Sequence, residues 1–371
     1  MRSELRGRSE TARSAARGEA SAPRRFGSRA ALVALLVAQP ALPAATASDK
    51  LPALGAPIGA TSLSGLSSGA YMAGQIQLAH AKDVVGAGLV AGGPFACAES
   101  AAGRLVPYWP TAVAQNAQKA LHGCMLVDWG TPDPVELADR AKELASAGEI
   151  DSLADLAGDK IYLYSGNADR TVTRPVVEAA KALYRELGVP EKNIALVEGE
   201  GGHGFLTEEA GEACALTDKP YVNDCDYDQA KAILQWIYGP LAAPSAALGG
   251  RFIIFDQSAY ADPGDGLADE GVVYVPQACA DAPGCRVHVV LHGCEQARET
   301  VGDALIKQSG FAELADTNRL IVLFPQISAS SLVNPQGCWD WWGYTGLDYL
   351  GKDAPQIKAI WSMVERLAER P

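Results

Sequence analysis

The chain has 371 residues, enough for one large domain or two ordinary ones, and with 48% hydrophobic and 20% charged residues its composition is globular. No apolar run reaches the ~20 residues that a membrane-spanning helix needs. The formal net charge of −13 argues against nucleic acid or an anionic membrane as a partner and suits a neutral substrate.

The N-terminus reads as a targeting segment. Arg17, Arg24, Arg25 and Arg29 precede the apolar run from Ala30 to Ala38, and Ala45-Thr46-Ala47 then offers an A-x-A cleavage site. A secretory signal peptide over residues 1–47 is expected, with cleavage after Ala47 and an extracellular or periplasmic destination. The arginine-bearing region is long for such a signal, consistent with a start codon further in. Residues 1–47 carry eight arginines and three glutamates, so the remaining chain holds a net charge of −18. Residues 48–371 are expected to form a single catalytic domain.

The first strong local signal is Gly65-Leu66-Ser67-Ser68-Gly69. The pattern G-x-S-x-G places a serine on a sharp turn between a strand and a helix, where side chains at the glycines would clash. A short approach, residues 60–63, precedes it, and residues 70–79 read as helix. Residues 84–93 read as a buried strand ending in glycine. The segment 98–156 is alanine-rich and polar, mostly helix and loop. Residues 160–166 are a strand, 176–187 a helix, and 194–197 a strand. Gly201-Gly202-His203-Gly204 is a loop, and 227–238 a helix. This alternation predicts an α/β fold, a mostly parallel central sheet with helices on both faces.

Residues 239–250, rich in alanine, proline and glycine, read as a linker. Two strands that can pair as a meander follow, 251–255 and 271–276. Next come a strand at 286–291, a helix near 310–317, a strand at 320–324, and a closing amphipathic helix with Ile357, Ile360, Trp361, Val364 and Leu367 at helical spacing. Each side of the linker looks like half of one sheet.

A serine nucleophile needs a base, an acid to orient the base, and backbone donors for the oxyanion. Five histidines are available. His80 lies in the helix after Ser67, His122 in an unassigned stretch, His288 inside a strand and His292 in a His-Gly-Cys loop. His203, in a glycine loop after a strand, is the candidate base. The acid should fall between serine and histidine in chain order. Asp169, after the strand 160–166, fits, and Asp128 is the weaker alternative. The loop Leu291-His292-Gly293-Cys294 has the form of an oxyanion loop, which this fold places before the nucleophile. Here it comes after it, as in a circular permutation with the linker near 240–250 joining the former termini.

Through these motifs the sequence resembles the single-domain poly(3-hydroxybutyrate) depolymerases of circularly permuted α/β-hydrolase fold, the fungal type. The resemblance rests on Gly-Leu-Ser-Ser-Gly-Ala-Tyr-Met at 65–72, the Asp169 loop, Gly-Gly-His-Gly at 201–204, Leu-His-Gly-Cys-Glu-Gln at 291–296, and Asn-Pro-Gln-Gly-Cys-Trp-Asp-Trp-Trp-Gly-Tyr at 334–344. It implies a serine esterase acting on poly(3-hydroxybutyrate) and its oligomers through an acyl-enzyme. Ser67 would be the nucleophile, Asp169 the orienting acid and His203 the base, with the N–H groups of Ser68 and Cys294 as oxyanion hole. Trp339, Trp341, Trp342 and Tyr344 would line an apolar substrate groove. No cofactor and no metal are expected, and no appended substrate-binding domain, which favours amorphous polymer or oligomers. Ala70, where relatives often carry glycine, is a small departure. A feruloyl or acetyl-xylan esterase is the alternative enzyme, and a non-catalytic polymer-binding protein the alternative from another class.

The eight cysteines fit disulfides in an exported chain. Cys214 with Cys225, and Cys279 with Cys285, are close enough to staple loops. Cys294 and Cys338 are expected to join the oxyanion loop to the tryptophan cluster. The alternative leaves Cys294 free and pairs Cys338 with Cys97 or Cys124.

Overall fold

The computed structural model describes residues 49–105, 108–330 and 332–371. The expected signal peptide, residues 1–47, lies outside them. In chain order the first half contains β1 (Thr61–Leu66), α1 (Ser68–Ala79), β2 (Val84–Val90), α2 (Ala101–Leu105), α3 (Trp109–Lys119), α4 (Pro134–Ala147), β3 (Lys160–Gly166), α5 (Arg174–Glu186), β4 (Ile194–Gly199), β5 (Phe205–Thr207), β6 (Glu212–Ala213), β7 (Val222–Asp224) and α6 (Gln229–Tyr238). The second half contains β8 (Arg251–Asp256), β9 (Glu270–Val275), α7 (Gln277–Asp281), β10 (Arg286–Leu291), α8 (Arg298–Val301), α9 (Ala304–Gln308), α10 (Phe311–Asn318), β11 (Leu320–Phe324) and α11 (Pro355–Ala368).

One eight-stranded sheet takes strands from both halves, in the order β8-β9-β11-β10-β1-β2-β3-β4. From β11 to β4 the neighbours run parallel, while β9 is antiparallel to both β11 and β8. The seam between the halves is the β1–β10 pair, in register Leu63↔Val289 and Gly65↔Leu291. Strands β1, β10 and β11 are buried almost throughout, as expected for parallel strands covered on both faces. β2 shows the two layers: Gly86 and Gly88 face Ile237 and Ile233 of α6, while Leu89 faces α1. The sheet is that of an α/β-hydrolase, with its leading strands supplied by the second half of the chain.

Local chemistry sets the helix ends. The Asp133 side chain accepts from the N–H groups of Val135 and Glu136, Pro134 opens α4, and Gly148 closes it in the left-handed conformation. Asp228 caps α6 through Lys231 N–H. The linker is tied to α10: Ala242 N–H donates to Asn318 Oδ1 at 2.8 Å and Ser245 N–H to Glu313 O at 2.9 Å. Some features were not expected from the sequence, among them the short helix α7 between β9 and β10. β5, β7 and β6 form a separate three-stranded sheet, and α8 and α9 follow the oxyanion-type loop.

Two buried histidines are neutral parts of this frame. His288 on β10 bridges to β1, with Nδ1 2.6 Å from Ser62 Oγ and Nε2 2.9 Å from Ser64 Oγ. Burial pushes its pKa down to about 3. His80 stacks on Trp361 with ring centroids 3.9 Å apart, and burial pushes it down to about 4, Asp151 opposing and Lys352 adding to the shift. A histidine freed by unfolding titrates near pH ~6.5. Below that pH the unfolded chain takes up protons that the folded protein refuses, so the unfolded state gains. The contribution of these two histidines should therefore be full above about pH 6.5 and fall as the pH drops towards the folded values, while the buried carboxyl of Asp159, pushed up to about 7, works in the opposite direction. Urea midpoints measured from pH 7.5 to 4.5 should fall by more in the unaltered protein than in His80→Gln, and parallel profiles would contradict this.

Candidate active site

Ser67 stands between β1 and α1 with φ 57° and ψ −121°, a conformation disfavoured for any residue with a Cβ. The turn is held from both sides. Ser67 N–H donates to Val90 O at 2.9 Å, and Ser67 O accepts from Ala70 and Tyr71 N–H at 2.8 and 3.1 Å. The flanking glycines are required by contact. A Cβ on Gly65 would lie 2.3 Å from the Gly69 carbonyl, and one on Gly69 would lie 2.2 Å from Leu291 O and 2.5 Å from His292 O. The second of these contacts presses the turn against the end of β10.

Asp169 follows β3 and His203 follows β4, so both sit beyond the carboxyl ends of neighbouring parallel strands, where such sheets carry their sites. Their loops are joined through Asn167 N–H to Gly199 O at 2.6 Å and Ala168 N–H to Gly201 O at 3.1 Å. Both side chains are buried, and Asp169 Oδ2 lies 2.8 Å from His203 Nδ1. A carboxylate oxygen only accepts, so Nδ1 carries a proton, which in the neutral ring leaves the lone pair on Nε2. Asp169 Oδ1 accepts from the N–H groups of Thr171 and Val172 at 2.8 and 3.0 Å, which fixes the carboxylate. The His203 backbone is held by Thr217 Oγ1 at 2.9 Å. Ser67 Oγ makes no hydrogen bond among the described residues; such contacts often tighten only when substrate is bound.

The N–H groups of Ser68 and Cys294 donate to no protein acceptor among the described residues. Cys294 is bonded to Cys338, and the other pairs are Cys97–Cys124, Cys214–Cys225 and Cys279–Cys285. Asp128 does not reach His203. It lies 3.2 Å from His122 Nδ1, in an exposed pair.

The aromatic cluster differs from expectation. Trp339, expected on the groove wall, is fully buried: it belongs to the core and donates from Nε1 to His292 O at 3.0 Å. Buried Tyr344 donates its hydroxyl to Cys338 O at 2.8 Å and accepts from Asn334 Nδ2 at 3.0 Å. Trp341 is stacked on Tyr71 with centroids 4.0 Å apart. Trp342 alone of the four is half-buried. An indole fits a core wall as well as a groove wall, and here the Nε1 partner decided for the core.

Sequence reasoning also passed over Asp340 and Gln296. Buried Asp340 gathers the loop after Trp339, accepting at Oδ1 from Gly343 and Tyr344 N–H at 2.6 and 2.9 Å and at Oδ2 from Thr345 Oγ1 at 2.6 Å. Its carboxyl is pushed up by burial, against those hydrogen bonds. The signal was its place between two tryptophans in the 334–344 motif. A cavity of about 610 Å³ lined by Lys119, Trp129, Asp133 and Glu136 lies elsewhere, and Ser67, Asp169 and His203 do not line it. Among the described residues no group of His, Cys, Asp or Glu is placed to hold a metal.

Models of known protein families give no match to the chain. It is 35% identical over 356 residues to the polyhydroxybutyrate depolymerase of Talaromyces funiculosus, covering 91% of this chain and 96% of that protein. It is 38% identical over 328 residues to a poly(3-hydroxybutyrate) depolymerase of Delftia acidovorans, covering 87% of this chain but only 62% of that longer relative. Two solved structures align with 87% of this chain and 100% of their own, at 33% identity. One is the PHB depolymerase from Penicillium funiculosum, with a TM-score of 0.76, and the other a PHB depolymerase variant complexed with an R3HB trimer, with a TM-score of 0.75. By sequence along nearly its whole described length, and by fold, the chain belongs to the poly(3-hydroxybutyrate) depolymerase family.

Proposed function

We propose that residues 48–371 are one catalytic domain, a serine esterase that hydrolyses poly(3-hydroxybutyrate) and its oligomers. The observation that carries this is the buried His203–Asp169 pair, 2.8 Å apart, at the same sheet edge as a strained serine turn. Ser67 Oγ attacks the ester carbonyl carbon while His203 Nε2 takes its proton. Asp169 accepts the hydrogen bond from Nδ1–H, without taking the proton, and stabilises the imidazolium. The tetrahedral oxyanion is held by Ser68 and Cys294 N–H, groups with no protein acceptor. The intermediate collapses, His203 protonates the departing hydroxyl end, and a 3-hydroxyacyl ester remains on Ser67. Water, deprotonated by His203, attacks this ester, and the acid leaves as Ser67 recovers its proton. The polyester is neutral and apolar, which suits a wall built around Trp342 rather than a charged pocket.

Ser67→Ala, Asp169→Asn and His203→Ala should each lower hydrolysis of a soluble p-nitrophenyl ester by at least ~10³-fold with the fold intact. The unaltered enzyme should clear poly(3-hydroxybutyrate) film and leave feruloyl esters untouched. Film clearing by Ser67→Ala, or feruloyl ester as the better substrate, would overturn the reading.

Export is supported by the four disulfides, which form in oxidising compartments. The protein recovered outside the cytoplasm should begin at Ser48, and N-terminal sequencing that finds residues 1–47 retained would refute this.

The Cys294–Cys338 bond spans a sequence separation of 44 residues. Chain entropy alone assigns such a bond roughly 4 kcal/mol of stability. Because Cys294 carries a proposed oxyanion donor, stability and turnover should fall together. Cys338→Ser should lower both Tm and kcat while Ser67 still reacts, more slowly, with an organophosphate; an unchanged kcat would separate the bond from catalysis.

A further inference from the structure

The disulfide holds the Cys294 side chain, but it does not set the plane of the peptide that carries the Cys294 N–H. That peptide joins Gly293 to Cys294, and glycine rotates about its own bonds more cheaply than any other residue. A flip would turn the Gly293 carbonyl, a repulsive group, to the side from which the N–H should donate.

Both peptide groups of Gly293 are gripped by buried side chains. Its N–H donates to Gln296 Oε1 at 2.8 Å. The other end of the Gln296 amide donates from Nε2 to Pro220 O at 3.1 Å and Tyr221 O at 2.9 Å. The reversed amide would set NH₂ against N–H and oxygen against two carbonyls, so only one orientation fits. The Gly293 carbonyl is the partner of His292 Nδ1 at 2.8 Å. At the other side of that ring, Nε2 meets Ile327 N–H at 3.2 Å. A carbonyl only accepts and an N–H only donates, so the ring is neutral, with its proton on Nδ1 and its lone pair on Nε2. Burial pushes the His292 pKa down to about 4, in keeping with that neutral form. The next peptide is fixed too, by Glu295 N–H donating to Gln336 O at 2.6 Å.

A trans peptide is planar, with its N–H opposite its C=O. With the Gly293 carbonyl turned into the His292 ring, the Cys294 N–H points the opposite way, where it meets no protein acceptor among the described residues. We propose that His292 and Gln296 are positioning residues that lock the Gly293–Cys294 peptide in the donor orientation for the oxyanion. The proposal rests on the esterase reading above, with Cys294 N–H as oxyanion donor. It divides the labour at this loop: the disulfide anchors the residue, and the two side chains, together with the Gln296 N–H that donates to Gly293 O at 3.3 Å, set the direction of its N–H.

The test uses soluble p-nitrophenyl butyrate and a trifluoromethyl ketone, whose adduct with the serine carries an oxyanion. His292→Phe keeps the ring volume and removes the donor. It should lower kcat by about 10²-fold, the scale of losing one oxyanion donor, with KM within about threefold. Ketone affinity should fall in parallel. His292→Asn, whose Nδ2 can take the place of Nδ1, should recover most of both. Gln296→Met should reproduce the kcat loss, and it carries the test alone if near-UV circular dichroism shows His292→Phe unfolded. An unchanged kcat in the folded variants would overturn the proposal. So would a loss that follows Tm, leaves ketone affinity intact and is not rescued by asparagine. Full activity in Ser67→Ala would instead remove the esterase reading itself, so the two failures are distinguishable.

Discussion

The parallel pairing of β1 with β10 is the contact on which the rest depends. The two strands come from opposite sides of the linker, yet they lie side by side at the middle of the sheet. Their register ends with Gly65 beside Leu291, so the serine turn and the His-Gly-Cys loop leave the sheet at the same level. The fit is tight enough that Gly69 cannot carry a side chain. His288 spans the same seam with hydrogen bonds to two serines of β1. A slip of one residue would put that imidazole on the wrong face and take the His-Gly-Cys loop out of line with Ser67.

A second constraint comes from the segment closed by Cys214–Cys225. It supports the loop of the candidate base, with Gly202 N–H donating to Cys214 O and His203 N–H to Thr217 Oγ1. The same segment supplies Pro220 O and Tyr221 O to Gln296, and Tyr221 donates its hydroxyl to Glu295 at 3.1 Å. One strap thus braces the candidate base and the His-Gly-Cys loop together. Short-range disulfides of this kind add modest stability for their loop size, and here the mechanical tie matters more than the entropy.

Much of this was legible in the sequence because the relevant residues are chemically constrained. Gly65 and Gly69 had to be glycines for steric reasons, which is why the motif names the turn. Asp169 and His203 each followed an apolar β-rich run, so the parallel sheet placed them at one edge. The order of the motifs exposed the permutation, since the oxyanion-type loop lies after the nucleophile in the chain. What escaped notice depended on partners remote in sequence. β5, β6 and β7 are three residues long or fewer and carry no periodicity. Gln296 closes the Leu-His-Gly-Cys-Glu-Gln motif, but its role is set by Gly293 on one side and by the remote Pro220 and Tyr221 on the other. Trp339 read equally well as groove or core, and only the His292 carbonyl within reach of its Nε1 placed it inside.

The ends of the described chain meet. Leu54 and Ala56 N–H both donate to Leu367 O, and Gly55 N–H donates to Glu369 O at 2.7 Å. At the other junction the linker is stitched to α10 rather than spanning open space. The backbone path is therefore a nearly closed circuit, and the sheet has no preferred starting point along it. Sewing the start of the described chain to its end and opening the circuit near Ser245 would restore the unpermuted strand order without moving a single strand. For this fold the order of synthesis and the order of assembly are separable.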